Sequence, residues 1–383
     1  MSEILQTQEV GSLAKPSWRV QPLAGEPITD AHIDDAIDWA KRLDIDTDLP
    51  KDVLETARQD EKLTEESRIA IRNLAANYAI RLQEKAGLDI IYDGEQDRPE
   101  MYQDAIDKTH GFEDRGRLRA FDNKSFLKSA VVSQPHVDQP WYLDELKRIA
   151  SQTDRHIKVP ITGAYTLADW SFDEYYQKST QKGGKGLSKK QAKQAFVYDL
   201  AENVLRPSIA RLVEAGAKWI QIDEPAATTK ADEVPLFVES FNRSVAGLAG
   251  KFSVHICFSD YDLLFPHVEK LENCSQFSLE FANRDPRGLG SDKANRPAYE
   301  VLAKVRDHTP NTGVGLGVTS VHDNLLESPE LVRDRVLRAV EILGDPAKVY
   351  PSPDCGLRTR SWDVAFAKLK TTVNGTKLAR QTL

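Results

Sequence analysis

The chain has 383 residues, 40% of them hydrophobic, and a formal net charge of −8 at pH 7, with a pI near 5.6. That acidity disfavours a nucleic-acid or polyanion binder, whose phosphate contacts need a basic face. The 3 cysteines, Cys257, Cys274 and Cys355, are too few and too scattered for a disulfide framework. No run approaches the roughly 18 apolar residues of a membrane span, and the opening stretch "MSEILQTQEVGSLAKP" lacks the basic and apolar regions of a signal peptide. A cytoplasmic, reducing setting is expected, in which a thiol is free to bind metal.

In chain order, strands are predicted at "QEVGS", "LDIIYDGE", "HIKVPITGAYT", "AKWIQIDEP", "KFSVHICF", "SQFSLEF", "TGVGLGVTS" and "AKVYPSPDC". Several are apolar without clean alternation, as parallel strands buried on both faces are. Helix signals fill the gaps. "LTEESRIAIRNLAANYAIRLQEKAG" starts after Thr64 and stops at Gly87. "LSKKQAKQAFVYDLAENVLRPSIARLVEAG" opens on a Ser188/Gln191 capping box, and Pro207 should kink or divide it. "SPELVRDRVLRAVEILG" has Ser328 as N-cap, Pro329 at its first position and Gly344 as its stop.

This alternation predicts an α/β fold, a single (β/α)8 TIM barrel with residues 1–383 as one catalytic domain. An open doubly wound sheet would want a G-x-G-x-x-G after its first strand, and none is there. The connection over residues 97–155 is too long for a barrel loop and should form extra structure over one end. The basic stretch "QKGGKGLSKK" (181–190) is a candidate lid or anion contact.

Barrel chemistry gathers at the C-terminal strand ends. There the sequence delivers Glu95, Asp223 and Glu224, His255 and Cys257, Glu280, His322, and Asp354 with Cys355. His255, Cys257, Glu280 and Cys355 form a plausible zinc set of one imidazole, two thiolates and one carboxylate. They come from three strands, unlike a zinc finger closed by a local C-x-x-C. Cys274, in "KLENCSQF", reads as a buried apolar residue.

The motifs "EVGS", "YDGE", "ITGAYTLADWSF", "IQIDEPA", "HIC", "EFANR" and "PSPDCGLRTR" occur in the order found in cobalamin-independent methionine synthases. The chain resembles that family from about Glu9 to Lys370, and its length matches only the C-terminal, catalytic barrel of the large members. The resemblance implies a short, core-type enzyme that methylates L-homocysteine to L-methionine, a zinc-bound thiolate attacking the methyl donor in line. By motif, His255, Cys257, Glu280 and Cys355 would hold zinc. Val10, Gly11, Ser12, Glu95 and Asp223 would contact homocysteine. His322 would donate a proton, and Trp170 would stack on a folate ring.

One departure bears on the donor. Thr229, in "DEPAATTKADE", stands where large members carry an acid against the pterin, and residues 97–155 lack the family's other folate segment. A methylcorrinoid, methylcobalamin or a corrinoid partner protein, is therefore the expected donor, with 5-methyltetrahydrofolate the other. Two alternatives stay open at this point. One is a related zinc alkyltransferase for another thiol such as coenzyme M, although two acids suit an amino-acid ammonium better than a sulfonate. The other is a non-catalytic, corrinoid-protein-binding barrel with structural zinc.

Overall fold

The computed structural model describes residues 4–119, 125–177 and 187–383. Its strands are β1 (Ile90–Ile91), β2 (His110–Arg119), β3 (Ser125–His136), β4 (His156–Thr162), β5 (Phe172–Asp173), β6 (Trp219–Asp223), β7 (Lys251–Ile256), β8 (Cys274–Leu279), β9 (Gly313–Thr319) and β10 (Val349–Pro353). Seven of them form one sheet in the order β1-β4-β6-β7-β8-β9-β10, and every pairing in it is parallel. The eighth stave is the segment around Gln8. Its backbone bonds to Ile90 in β1 on one side and to Pro351 in β10 on the other, which closes the ring. All eight predicted strands are thus staves of a TIM barrel, though "QEVGS" makes only isolated bridges and "LDIIYDGE" keeps two residues in strand geometry.

The barrel strands bury both faces: β6 and β9 are buried at every position. Helices cover the outside, as the parallel crossovers require. Their ends follow the sequence signals. Thr64 accepts the Ser67 N–H at the start of Glu65–Ala86, and Gly87 ends that helix at φ 95°. Ser188 and Gln191 form the capping box. Ser328 accepts the Leu331 N–H, and Gly344 closes that helix at φ 73°. Each such cap is worth about 1 kcal/mol. Pro207 divides its helix as expected: the chain passes through a π-helical turn, Ala201–Leu205, into the helix Arg206–Glu214.

The barrel centre is polar. Lys158 Nζ donates to Gln8 Oε1 at 2.8 Å, and Gln8 Nε2 donates to Gln276 Oε1 at 3.1 Å. Gly315 makes room for this relay, since a Cβ there would lie 2.7 Å from Gln8 Nε2 and 2.9 Å from Gln276 Oε1.

The insertion after β1 is a helix, Met101–Asp107, then the antiparallel hairpin β2–β3 and the helix Leu143–Ala150. The hairpin takes β5 as a third, parallel strand, so the inserted sheet draws on residues beyond 97–155. Residues 120–124 of the insertion and 181–186 of the basic stretch lie outside the described residues. No helix among the described residues is long and apolar enough to cross a membrane.

Candidate active site

The strand β7 carries His255 into a buried position beside β8. Its Nδ1–H donates to the Ser278 carbonyl at 3.1 Å, which turns Nε2 toward Cys355 Sγ at 3.4 Å. A main-chain partner that fixes the tautomer in this way is the usual support of a metal-binding imidazole. Cys257 lies just past the end of β7, and the ligand atoms of His255, Cys257 and Cys355 all fall within 4.8 Å of one another. The hydrogen bond from Cys257 holds Cys355 well below the usual thiol range despite burial, with help from His255. The same bond, together with burial, drives Cys257 well above that range.

Glu280, the fourth predicted ligand, borders this group. Its Oε1 accepts from Phe258 N at 3.1 Å and from Arg284 Nε at 3.1 Å and a terminal guanidinium nitrogen at 2.5 Å. Its Oε2 is buried with no hydrogen-bond partner, and His322 Nε2, at 3.8 Å, makes a charge contact only. Burial alone would raise Glu280, but His322 and Arg284 outweigh it and hold the carboxyl below its ordinary value. A buried carboxylate oxygen without a partner costs at least about 1–3 kcal/mol, unless a cation takes it. An imidazole nitrogen, two sulfurs and this oxygen are a donor set that fits zinc.

A second group adjoins the cluster through the N-terminal stave. Val10 accepts from Gln221 Nε2 at 2.6 Å, and the same Gln221 Nε2 donates to Asp223 Oδ1 at 2.8 Å. A Cβ on Gly11 would stand 3.0 Å from Glu95 Oε1, and one on Gly356, next to Cys355, would stand 2.7 Å from Ser12 Oγ. Val10, Gly11 and Ser12 therefore touch the Asp223 network, Glu95 and the Cys355 turn in succession. Asp223 is paired in register with His255. Its carboxyl is pushed up to about 7 by burial, with Glu95 and Cys355 adding and His255 and Gln221 opposing. Glu95 sits in a left-handed turn at φ 55°, and burial raises it as well.

The other predicted residues are more spread. His322 lies in the loop after β9 with its ring 4.9 Å from that of Phe258. Trp170 ends the helix Ala164–Trp170; its ring packs 6.2 Å from Tyr102 and its carbonyl accepts from Lys128 Nζ, on the side of the inserted sheet. Thr229 Oγ1 donates to the Ala226 carbonyl at 2.9 Å and faces Asp169 at 3.5 Å. Glu224 caps the first turn of the helix Ala164–Trp170 beyond β4, accepting from Tyr165 N at 3.1 Å, Thr166 N at 2.8 Å and Thr166 Oγ1 at 2.6 Å. Asp354 holds the turn after Glu280 through the N–H groups of Phe281, Ala282 and Asn283.

Sequence reasoning passed over four contributors. Arg284 stands within the quoted "EFANR", yet its grip on Glu280 shows only in the structure. Lys15, lowered to about 8 by burial, and Arg358 bring positive charge to Glu95. Glu9 accepts the Gly11 N–H at 2.7 Å and shapes the stave.

The closed barrel thus brings two thiols, an imidazole and a carboxylate together beside buried acids, a donor set of the kind that can hold zinc in an enzyme. Residues 49–378 match the family model described as cobalamin-independent synthase, catalytic domain. The methionine synthase of Thermococcus kodakarensis is 37% identical over 320 residues, covering 83% of this chain and 86% of that protein. The Thermoplasma acidophilum methionine synthase is 37% identical over 309 residues, covering 78% and 86%. A B12-independent methionine synthase from a Shewanella species, solved with selenomethionine, superposes with a TM-score of 0.75 at 24% identity over 99% of this chain and 98% of that one, a likeness of fold. The chain belongs to the cobalamin-independent synthase family and is an enzyme of the methyltransferase class. That membership corrects one expectation: neither the methylcorrinoid donor nor the corrinoid partner protein drawn from Thr229 finds support.

Proposed function

We propose that the chain transfers a methyl group to the sulfur of L-homocysteine, giving L-methionine, and that residues 1–383 act as one catalytic domain. The observation that carries this reading is the adjacency of the two groups. Gly356, next to Cys355, abuts Ser12, while Gly11 abuts Glu95, so an amino acid held by Val10–Ser12 presents its side chain to the sulfur cluster. His255, Cys257, Cys355 and Glu280 would hold zinc, which keeps the substrate's sulfur a thiolate at neutral pH, where a free thiol of pKa about 8.5 is mostly protonated.

Glu95 and Asp223 take the ammonium of the substrate. Ser12 and nearby backbone N–H groups take its carboxylate, with Lys15 and Arg358 adding positive charge. This division favours an amino-acid thiol over a sulfonate such as coenzyme M. The sulfur attacks the donor methyl in line: an S–C bond forms and the bond from carbon to the leaving atom breaks. Cobalamin independence supports 5-methyltetrahydrofolate as donor. Its N5 leaves well only on gaining a proton, and that proton is assigned to His322, which stands beside Glu280. Trp170 offers a half-buried aromatic face to the pterin.

The test is methionine formation by zinc-loaded protein from homocysteine and 5-methyltetrahydrofolate, with methylcobalamin in parallel. Turnover with the folate is expected. Turnover with methylcobalamin alone would overturn the donor, and none with either would overturn the reaction.

A further inference from the structure

A second group of metal-ligating side chains lies away from the barrel mouth, on the inserted hairpin. His110 opens β2 and His136 ends β3, and the two are register partners across the hairpin. Their rings stack with centroids 5.0 Å apart and an interplanar angle of 19°. Asp138 turns back onto both: its Oδ2 lies 2.9 Å from His110 Nε2 and its Oδ1 lies 3.9 Å from His136 Nε2. One ligand atom from each residue falls within a 4.8 Å envelope.

We propose that His110, His136 and Asp138 form a second site for a divalent transition metal of the zinc type, separate from the catalytic cluster. Three observations support it. In a tetrahedral zinc site with bonds of about 2.0–2.1 Å, neighbouring ligand atoms stand about 3.3 Å apart, and the Asp138 carboxylate reaches both rings on that scale, through Oδ2 to His110 at 2.9 Å and through Oδ1 to His136 at 3.9 Å. His136 Nδ1 faces the Gln134 carbonyl at 3.3 Å, so a proton on Nδ1 leaves the Nε2 lone pair for a metal, the same device that orients His255. The third is access: all three side chains are more than half exposed, and His110 borders a cavity of about 380 Å³, so water can fill the fourth position. Two imidazoles and a carboxylate suit zinc, nickel or copper and not magnesium or calcium.

The place of the site gives it a structural consequence. Asp138 belongs to the turn between the hairpin and the helix Leu143–Ala150, and that helix carries Glu145, whose carboxylate holds the buried Arg98 at 3.0 Å. A metal on His110, His136 and Asp138 ties the base of the hairpin to this turn, and with it the sheet whose β5 edge follows Trp170.

Zinc titration against a chromophoric competitor tests the proposal. Wild-type protein is expected to take two equivalents, and His110→Ala and His136→Ala one each. The doubly substituted Cys257→Ser, Cys355→Ser protein should retain one equivalent and lose it when His136→Ala is added. The proposal is overturned if the histidine variants bind as much zinc as wild type, or if the folded cysteine variant binds none. Should the cysteine variant not fold, amide exchange decides: zinc should slow exchange in β2 and β3 of wild type and not of His136→Ala, and equal slowing in both contradicts the site.

Discussion

His255 and His136 each turn Nδ1 toward a main-chain carbonyl and offer Nε2 to neighbours, yet their surroundings differ in every other respect. His255 is buried among two cysteines and a carboxylate whose free oxygen has no hydrogen-bond partner. His136 stands in solvent beside one histidine and one aspartate. In the buried group the barrel already holds the side chains out of water, and the acids Glu95 and Asp223 lie beside it, which is why the proposed metal and substrate are assigned there. The exposed group has water in place of both. Two clusters with similar orientation devices thus lie in one fold, and they differ in burial and in the soft sulfur donors that the first carries and the second lacks.

Substitutions can break this comparison, and the largest effect belongs to the mouth. Cys355→Ser should abolish methionine formation and lower zinc affinity by more than the roughly 100-fold that loss of an outer-sphere partner costs; unchanged turnover would remove Cys355 from the site. Next comes Arg284→Met, which leaves Glu280 Oε1 with only the Phe258 N–H. Zinc affinity should fall about 10- to 100-fold, as for other residues that orient a ligand. Tighter binding in a chelator competition would mean that Arg284 restrains Glu280 from the metal instead of orienting it.

Glu95→Gln should raise the KM for homocysteine about 10- to 100-fold with kcat little changed. This is the cost of a charge-assisted hydrogen bond of about 1.5–3 kcal/mol, and steady-state kinetics at saturating donor reads it. The smallest effect belongs to the hairpin. His136→Ala should leave kcat/KM within about twofold and the stability of the zinc-free protein within about 0.5 kcal/mol, as for exposed positions, while removing the second zinc equivalent. A loss of turnover as large as that of Cys355→Ser would erase the distinction between the two clusters.

What the sequence disclosed follows the same division. The barrel was legible because its staves are apolar β-branched runs parted by capped amphipathic helices, and such strands need cover on both faces, here the barrel interior on one side and the helices on the other. The clustering of His255, Cys257 and Cys355 was legible because His255 and Cys257 stand two apart at the end of one strand and "PDCGL" follows another. The inserted sheet was not: β2, "HGFEDRGRLR", is almost wholly exposed and carries no apolar alternation, and β5 is two residues long. The polar relay of Gln8, Lys158 and Gln276 was hidden because only stave register brings three distant residues together. His110 and His136 met for the same reason, through a hairpin register that sequence spacing does not express. Arg284 was in view within "EFANR", but its role depends on the 3-10 turn Ala282–Arg284 that swings it back over Glu280.

The adjacency of the sulfur cluster and the amino-acid pocket is tested most directly by zinc K-edge X-ray absorption on Cys274→Ser, His136→Ala protein carrying one zinc equivalent, with and without L-homocysteine. On the proposed reading two sulfur neighbours are expected before the substrate and three after it, the substrate's thiol joining Cys257 and Cys355 on the metal. A shell that keeps two sulfurs at saturating homocysteine would contradict that reading and leave the cluster as a structural metal site.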